Sequence, residues 1–366
     1  MAGRIRPRLV VGLAGTLAVL LASAGCSGVS DDHAAAPRAT ATTPTGVPTT
    51  PSPQPTETVD PWAGHSTYTV LFLGGDGSPD RRGVRTDSVI VAVVDTKSGN
   101  TTLIGVPRNW QQVRFRPGTP MATRFPAGFP DFLFGIYTYA EDHPAVVPGS
   151  KHPGAHLLKD TISYNLGIDI DNYVLVNMAG FVKVINALGG IQVRLTQRIP
   201  IGGQKTQDGS RILAFPHDYL EPGLYRHMTG RQALWYSRSR FGSTDYARMA
   251  RQRCVLGALA RQIDPRSGLA TFARLTGPRG ILQTDIPVVM FEALAVLGDR
   301  IASAEIRGIT LGPPLINSAN PDWTQIRSTV RTAIRRTRAA ERDTTPTRTN
   351  QQNARLQSLD SVCRYR

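Results

Sequence analysis

Three apolar runs constrain this chain most: "YTVLFLGGD" (68–76), "SVIVAVVDT" (88–96) and "TTLIGVP" (101–107). They are nearly continuous rather than alternating, the pattern of strands covered on both faces. The turn "KSGN" between the second and third is a hairpin signal. Further on the pattern changes. "GAHLLKDTISYNLG" has helical spacing and a terminating glycine, "NYVLVN" (172–177) reads as a strand, and "AGFVKVINALGG" is a short helix with a glycine stop. "IQVRL" (191–195) is another strand, and Thr229 is placed to cap a helix opening at "TGRQALWYS". "SGLATFARL" and "IPVVMFEALAVLGDRIA" follow as helices, and "IRGITL" as a strand. Strands alternating with helices predict an α/β fold, a three-layer α/β/α sandwich around a central mixed β-sheet.

The polar residues gather where those strands end. Asp76 closes the first run, Arg85 and Asp87 open the second, and Arg108 follows the third. Such positions are where α/β folds build sites. Two carboxylates at neighbouring strand ends suit a hard cation such as Mg²⁺, which takes one or two carboxylates plus phosphate oxygens. Capping of turns is the plain alternative for both aspartates. The stretch "ALWYSRSRFGSTDYARMARQRC" (233–254) adds Arg238, Arg240, Arg248, Arg251 and Arg253 around a single acidic residue. Projected as a helix, 246–261 puts Arg248 and Gln252 on the stripe of Val255 and Leu259, and Arg253 and Arg261 on the side of Ala250 and Gly257. Arg248 therefore points inward and needs an anionic partner. Arginine suits phosphate because its planar fork donates paired hydrogen bonds. A solvated basic edge is the alternative for Arg238 and Arg240, and a helix cap the plain reading of Asp245. His152 and His156 have ligand-like spacing without a third ligand. "GGDG" lacks the Gly-Lys-Ser/Thr ending of a nucleotide phosphate loop.

The amino terminus sets the compartment. Residues 1–26 have a basic start, an apolar run from Leu9 to Ala22 and "LASAGC", the marks of an export signal or membrane anchor. Lipidation of Cys26, an uncleaved anchor and cleavage after Ala24 all remain open; a run of about 14–18 apolar residues is short for a spanning helix. In each case the remainder works outside the cytoplasm, which argues against nucleic acid as the partner of a chain with net charge +15. Residues 27–62, rich in Thr, Pro, Ser and Ala, cannot bury enough apolar surface to fold and read as a tether. Residues 63–336 form the expected folded domain, and 337–366 a polar tail ending in a docked Cys363 segment. With Cys26 lipidated or removed, Cys254 and Cys363 remain as an even pair in an oxidising compartment. A disulfide is expected there, the alternative being a buried unpaired Cys254 and a frayed tail.

The ordered blocks "LFLGGD", "VRTDSVIVAVVD", "LIGVPRN", "IDNYVLVNMAGFVKVINALGGIQV", "GRQALWYSRSR" and "DYARMARQ" resemble the LytR–CpsA–Psr family of cell-wall ligases. The resemblance runs closely from about residue 65 to about 262 and loosely beyond; the blocks are specific jointly rather than singly. It implies an extracytoplasmic Mg²⁺-dependent phosphotransferase on the cell membrane. Such an enzyme takes an anionic glycopolymer from a polyprenyl pyrophosphate carrier and joins it to a peptidoglycan hydroxyl. Carried over residue by residue, Asp76 and Asp87 would be the metal carboxylates, and Asp76, Asp87, Arg85, Arg108 and Arg240 the catalytic set. Arg85, Arg108, Arg238, Arg240, Arg248 and Gln252 would surround the pyrophosphate. The run "PRNWQQVR" departs from the family pattern at Asn109 and Gln111, which puts one phosphate contact in doubt or shifts it to Arg114. Two other functions compete: a non-catalytic wall lipoprotein that holds anionic polymer, and a transcription attenuator, which the export signal contradicts. Hydrolytic release of the pyrophosphate would be the same site acting on water. The donor, whether arabinogalactan, a teichoic-type polymer or capsule, is left open.

Overall fold

The computed structural model describes residues 61–62, 64–76, 85–206, 210–276, 281–339 and 356–363. Cys26, the apolar leader and most of the tether lie outside them. In chain order come strands β1 (Thr67–Gly75), β2 (Thr86–Asp95) and β3 (Thr101–Gly105), then helices α1 (Pro120–Arg124), α2 (Gly135–Asp142) and α3 (Pro153–Leu166). Next are β4 (Asn172–Asn177), α4 (Met178–Ala187), β5 (Ile191–Leu195), β6 (Ile199–Lys205), β7 (Ile212–Leu220) and β8 (Gly223–Met228). They are followed by α5 (Gly230–Arg238), α6 (Asp245–Gln262), α7 (Pro265–Leu275), β9 (Leu282–Thr284), α8 (Phe291–Ser303) and β10 (Ile306–Thr310). The last described elements are α9 (Trp323–Arg338), β11 (Gln357–Ser358) and α10 (Leu359–Cys363).

The main sheet has the order β11-β10-β3-β2-β1-β4-β9. It is mixed: β1 pairs antiparallel with β2 and parallel with β4, and β3 pairs antiparallel with β2 and parallel with β10. β1, β3, β4 and β10 therefore end on one side of the sheet, where β2 begins. The apolar runs split by alternate residues. Val89, Val91, Val93 and Ile104 join the core under α3 and α9, while Ile90, Ala92 and Leu103 join the core under α6. Both faces are covered, as continuous apolarity requires, and the layers are α/β/α. Each fully buried aliphatic side chain contributes about 1.5–3 kcal/mol.

Local chemistry sets the helix limits. α3 starts on Pro153 and ends at Gly167, whose φ of 67° lies in the left-handed region that a Cβ disfavours. Arg327 of α9 donates to the carbonyl of Tyr164 at 3.0 Å, satisfying one of the last acceptors of α3. Thr229 caps α5 as expected, and the structure adds a capping box, the Thr229 amide donating to Gln232 Oε1 at 3.0 Å. The segment 286–302 departs from the expected single helix: α8 begins only at Phe291, after a 3-10 turn at Val288–Met290 that follows Pro287. Asp285 accounts for the delay, because its carboxylate accepts from the Tyr173 amide at 2.7 Å and ties that end of the segment to β4.

α4 and α5 meet at Gly230. A Cβ built there would lie 2.2 Å from the carbonyl oxygen of Val182, a backbone atom with nowhere to go. Gly230→Ala is expected to lower stability by about 1–3 kcal/mol, the usual cost of overpacking. Urea titration of wild type and variant checks it; equal midpoints would show that the two helices are free to part.

Candidate active site

The site is built at the strand ends from three sides. β1 and β2 supply the first. A bulge sets Gly75 opposite Thr86, the Asp76 amide donates to the Arg85 carbonyl at 3.0 Å, and the Arg85 amide returns to Asp76 Oδ1 at 2.8 Å. Asp76 and Asp87 are thereby fixed on adjoining ends of neighbouring strands. The chain leaving β3 supplies the second side. Arg108 forms an ion pair with Asp87, and its carbonyl accepts from the Phe134 amide at 3.0 Å. That link seats the Phe134 ring beside two guanidinium groups: Arg85 lies 5.5 Å and Arg108 5.8 Å from its centroid. The negative face of the ring offsets part of their mutual repulsion.

The third side is the start of α6. Thr244, not Asp245, is the cap, accepting from the Ala247 amide at 3.1 Å. Asp245 sits in the first turn and takes both ends of the Arg248 fork, Nε and Nη2, at 3.1 Å each. Arg248 is buried, as its stripe predicts, and its third donor, Nη1, reaches the Asp87 carbonyl at 2.8 Å. Arg240 approaches Asp245 only to 3.5 Å and leaves half of its side chain exposed. Burial lowers the Arg240 pKa, and the nearby Arg108 and Arg248 lower it further against the opposing Asp245 and Asp87. Burial alone would raise the Asp245 carboxyl, but Arg248, then Arg108 and Arg240, hold it below the usual carboxylate range. Four arginines thus face three aspartates beside the positive end of an 18-residue helix. The excess charge is positive, and the geometry offers it to an anion.

Other expected residues are used differently. The Gln252 amide donates to the Ser237 carbonyl at 3.2 Å, tying α6 to the end of α5. The Arg238 guanidinium lies over Trp235, 4.8 Å from the centroid. Arg114 and Asn109 are exposed. His156 meets Ser150 at 2.8 Å and Tyr173 edge-on, and among the described residues no group of three or more His, Cys, Asp or Glu is arranged to hold a metal ion.

Two buried arginines have structural roles that a phosphate does not explain. Arg251 donates to the carbonyls of Tyr236, at 2.7 Å, and Ser239, so it holds the α5–α6 link from beneath. Arg253, assigned by the projection to the side of Ala250 and Gly257, is only 5% exposed. It crosses β3 and β10, where a Cβ on Gly105 or Gly308 would come within 2.8–2.9 Å of its guanidinium. The projection fails because α6 has no outward side there: the sheet, α5, α8 and α10 surround it. Glycines at 105 and 308 in otherwise apolar strands were the available signal.

The LytR_cpsA_psr family model matches residues 45–312. The chain belongs to the LytR_cpsA_psr family. Among its relatives, the polyisoprenyl-teichoic acid–peptidoglycan teichoic acid transferase TagU of Enterococcus faecalis is 29% identical over 225 residues, which are 60% of this chain and 61% of that protein. The biofilm regulatory protein A of Streptococcus mutans is 27% identical over 66% of this chain and 55% of its own length. The chain spans between about half and six-tenths of the curated relatives it first matches. The crystal structure of Bacillus subtilis TagV superimposes with a TM-score of 0.50 at 24% identity, covering 74% of this chain and 97% of that one. A Streptococcus agalactiae protein gives 0.51 at 23% identity over 67% and 77%. These likenesses establish the fold: this LytR_cpsA_psr member has the family's α/β architecture. Among its described residues no helix is long and apolar enough to cross a membrane.

Proposed function

We propose that this chain is an envelope phosphotransferase that moves an anionic glycopolymer from a polyprenyl pyrophosphate carrier to a peptidoglycan hydroxyl. One observation carries the reading: Arg108, Arg240 and Arg248 converge on two carboxylates, Asp87 at a strand end and Asp245 in the first turn of α6, with positive charge in excess. The name of the E. faecalis relative supports the substrate class. In the reaction the acceptor oxygen attacks the phosphorus that bears the polymer, the bond from that phosphorus to the bridging oxygen breaks, and polyprenyl phosphate leaves. Arg240 and Arg248, with Arg85 and Arg108, bind and orient the pyrophosphate and take up the charge that develops on the departing oxygen. A strand-end carboxylate, Asp87 or Asp76, accepts the hydroxyl proton. Water in place of the sugar hydroxyl gives pyrophosphate hydrolysis as a side reaction.

Two carboxylates are too few for an all-protein cage, but they fit Mg²⁺, which keeps water and phosphate oxygens as its other ligands. Asp76 and Asp87 would hold it, and bound there it would neutralise phosphate charge. The amino-terminal segment would keep the domain on the outer face of the membrane, by a lipid on Cys26 or by an uncleaved anchor.

The test is binding and transfer with a polyprenyl pyrophosphate-linked glycan. Losing a charge-assisted contact costs about 1.5–3 kcal/mol, so Arg240→Ala is expected to weaken binding roughly 10- to 100-fold. Arg248→Ala should do the same and also loosen Asp245. Unchanged affinity in both variants would remove the pyrophosphate from this site. A purely polymer-holding protein would bind in a salt-sensitive way without needing Asp76 or Asp87.

A further inference from the structure

The ribbon formed by β6 and β7 stands outside the main sheet. Its second strand is apolar and exposed: Ile212 is 45%, Leu213 51% and Phe215 73% accessible. The register shifts here, with Gln204 opposite Ala214 and Lys205 opposite Ile212, so Leu213 is the extra residue of a bulge, and Ile212 to Phe215 are all exposed. Leu220 and Ile199 root the ribbon in the core, but the apolar stretch Ile212–Phe215 at its far end is covered on neither face, and such a stretch is not part of a core. The charge around it is basic. Residues 194–240 hold eight Lys or Arg and three Asp or Glu, and Arg211 beside the apolar cluster is exposed.

The ribbon is also joined to the site. The Phe215 ring lies 6.5 Å from Phe241, which follows Arg240 in the chain, and Gly203 of β6 packs so closely that a Cβ would meet Phe241 at 2.7 Å. His217 stands edge-on to Trp235, the ring under Arg238. A surface that receives Leu213 and Phe215 is therefore brought up against the end of α5 and the loop after it, which carry Arg238 and Arg240.

We propose that the β6–β7 ribbon is a membrane-contact element that places Ile212, Leu213 and Phe215 in the interfacial zone of an anionic bilayer. Apolar and aromatic side chains flanked by basic ones are the composition that lies in such an interface. The arrangement sets the arginine cluster at headgroup depth, where the phosphates of a membrane-borne pyrophosphate reside. This consequence rests on the functional reading above; the membrane contact itself does not.

The full chain, reconstituted into vesicles of phosphatidylcholine and phosphatidylglycerol with brominated acyl chains, tests it. Because the amino-terminal segment, on the functional reading above, would bind vesicles too, contact is read at single positions. Tryptophan emission added by Phe215→Trp is expected to be quenched, and more strongly with the anionic lipid than without it. Val289→Trp is the control. Val289 is 85% exposed but follows β9, which runs antiparallel to β4 towards the opposite end of the sheet, so its added emission should stay unquenched. Phe215→Asp is expected to slow transfer from a bilayer-borne donor about tenfold, the worth of one anchoring apolar side chain, with inorganic pyrophosphate affinity unchanged. Equal quenching at 215 and 289, or none at 215, overturns the proposal. So does a dimer in sedimentation that Phe215→Asp abolishes, which would make the ribbon an interface between copies. Quenching in the Phe215→Trp protein, together with a wild type that transfers no glycan, would sink the functional reading and leave the ribbon's role standing.

Discussion

Asp87→Ala is expected to reduce transfer about 10³-fold or more, the scale seen when one electrostatic element is removed from a preorganised site. The residue acts twice. Its carboxylate belongs to the pair proposed to hold Mg²⁺, and it pairs with Arg108. The fold should survive the change. The Asp87 carbonyl, not the side chain, receives Arg248, and the Arg108 pair is partly exposed, so the stability lost is about 1 kcal/mol or less. The two readouts should part. The rate collapses and extra Mg²⁺ does not restore it, while metal-free affinity for a polyprenyl pyrophosphate holds or tightens, because one negative charge has left a cluster already positive in excess. Wild-type turnover by a folded Asp87→Ala protein would end the carboxylate assignment.

The second large effect concerns the tail. Cys254 of α6 and Cys363 of α10 form a disulfide with Cα atoms 5.4 Å apart, at a sequence separation of 109. A bridge closing so long a loop removes unfolded-state entropy worth about 4–5 kcal/mol on the chain-entropy model, an upper figure. Replacing both cysteines by alanine is expected to lower unfolding free energy by nearly that much. The ion pair of Arg261 with Asp360, 2.7 Å at its shorter contact, ties the same elements but is largely solvated on the aspartate side and cannot substitute. Denaturant titration of the double variant, and of wild type with and without reductant, measures the loss. A midpoint unmoved by either treatment would mean that packing alone holds α10.

Much of the molecule was legible in its sequence, and for identifiable reasons. β1, β2 and β3 read clearly because they are buried on both faces, which leaves continuous apolar letters. Asp76, Asp87 and Arg108 read as site residues because they interrupt those letters at the strand ends. Arg248 read as inward because apolar neighbours share its stripe. Arg251 and Arg253 did not read, since a helix enclosed on every side has no polar face from which to measure. α9 was missed for the opposite reason. Its buried stripe is only Ile326, Val330, Ala333 and Thr337, set among arginines that dominate its composition. The β6–β7 ribbon was missed because burial imposes no alternation on it, and Gly202, Gly203 and Pro216 are letters that usually break strands. Asp245 was read from its position alone, and the cap went to the residue before it.

The two outermost strands of the main sheet are its shortest, β9 with three residues and β11 with two. Each covers part of a longer neighbour: β9 pairs along Val174–Val176 of β4, and β11 along Arg307–Gly308 of β10. Long strands with unpaired amides are templates on which other chains add and aggregate, and brief terminal strands deny that template. One of the two guards is held in place by sulfur. Opening the Cys254–Cys363 bond releases β11 as well as α10, and the backbone of β10 becomes available to a neighbouring molecule. On the location proposed above, outside the reducing cytoplasm, oxidation is then the event that separates a sheet closed to strangers from one that invites them.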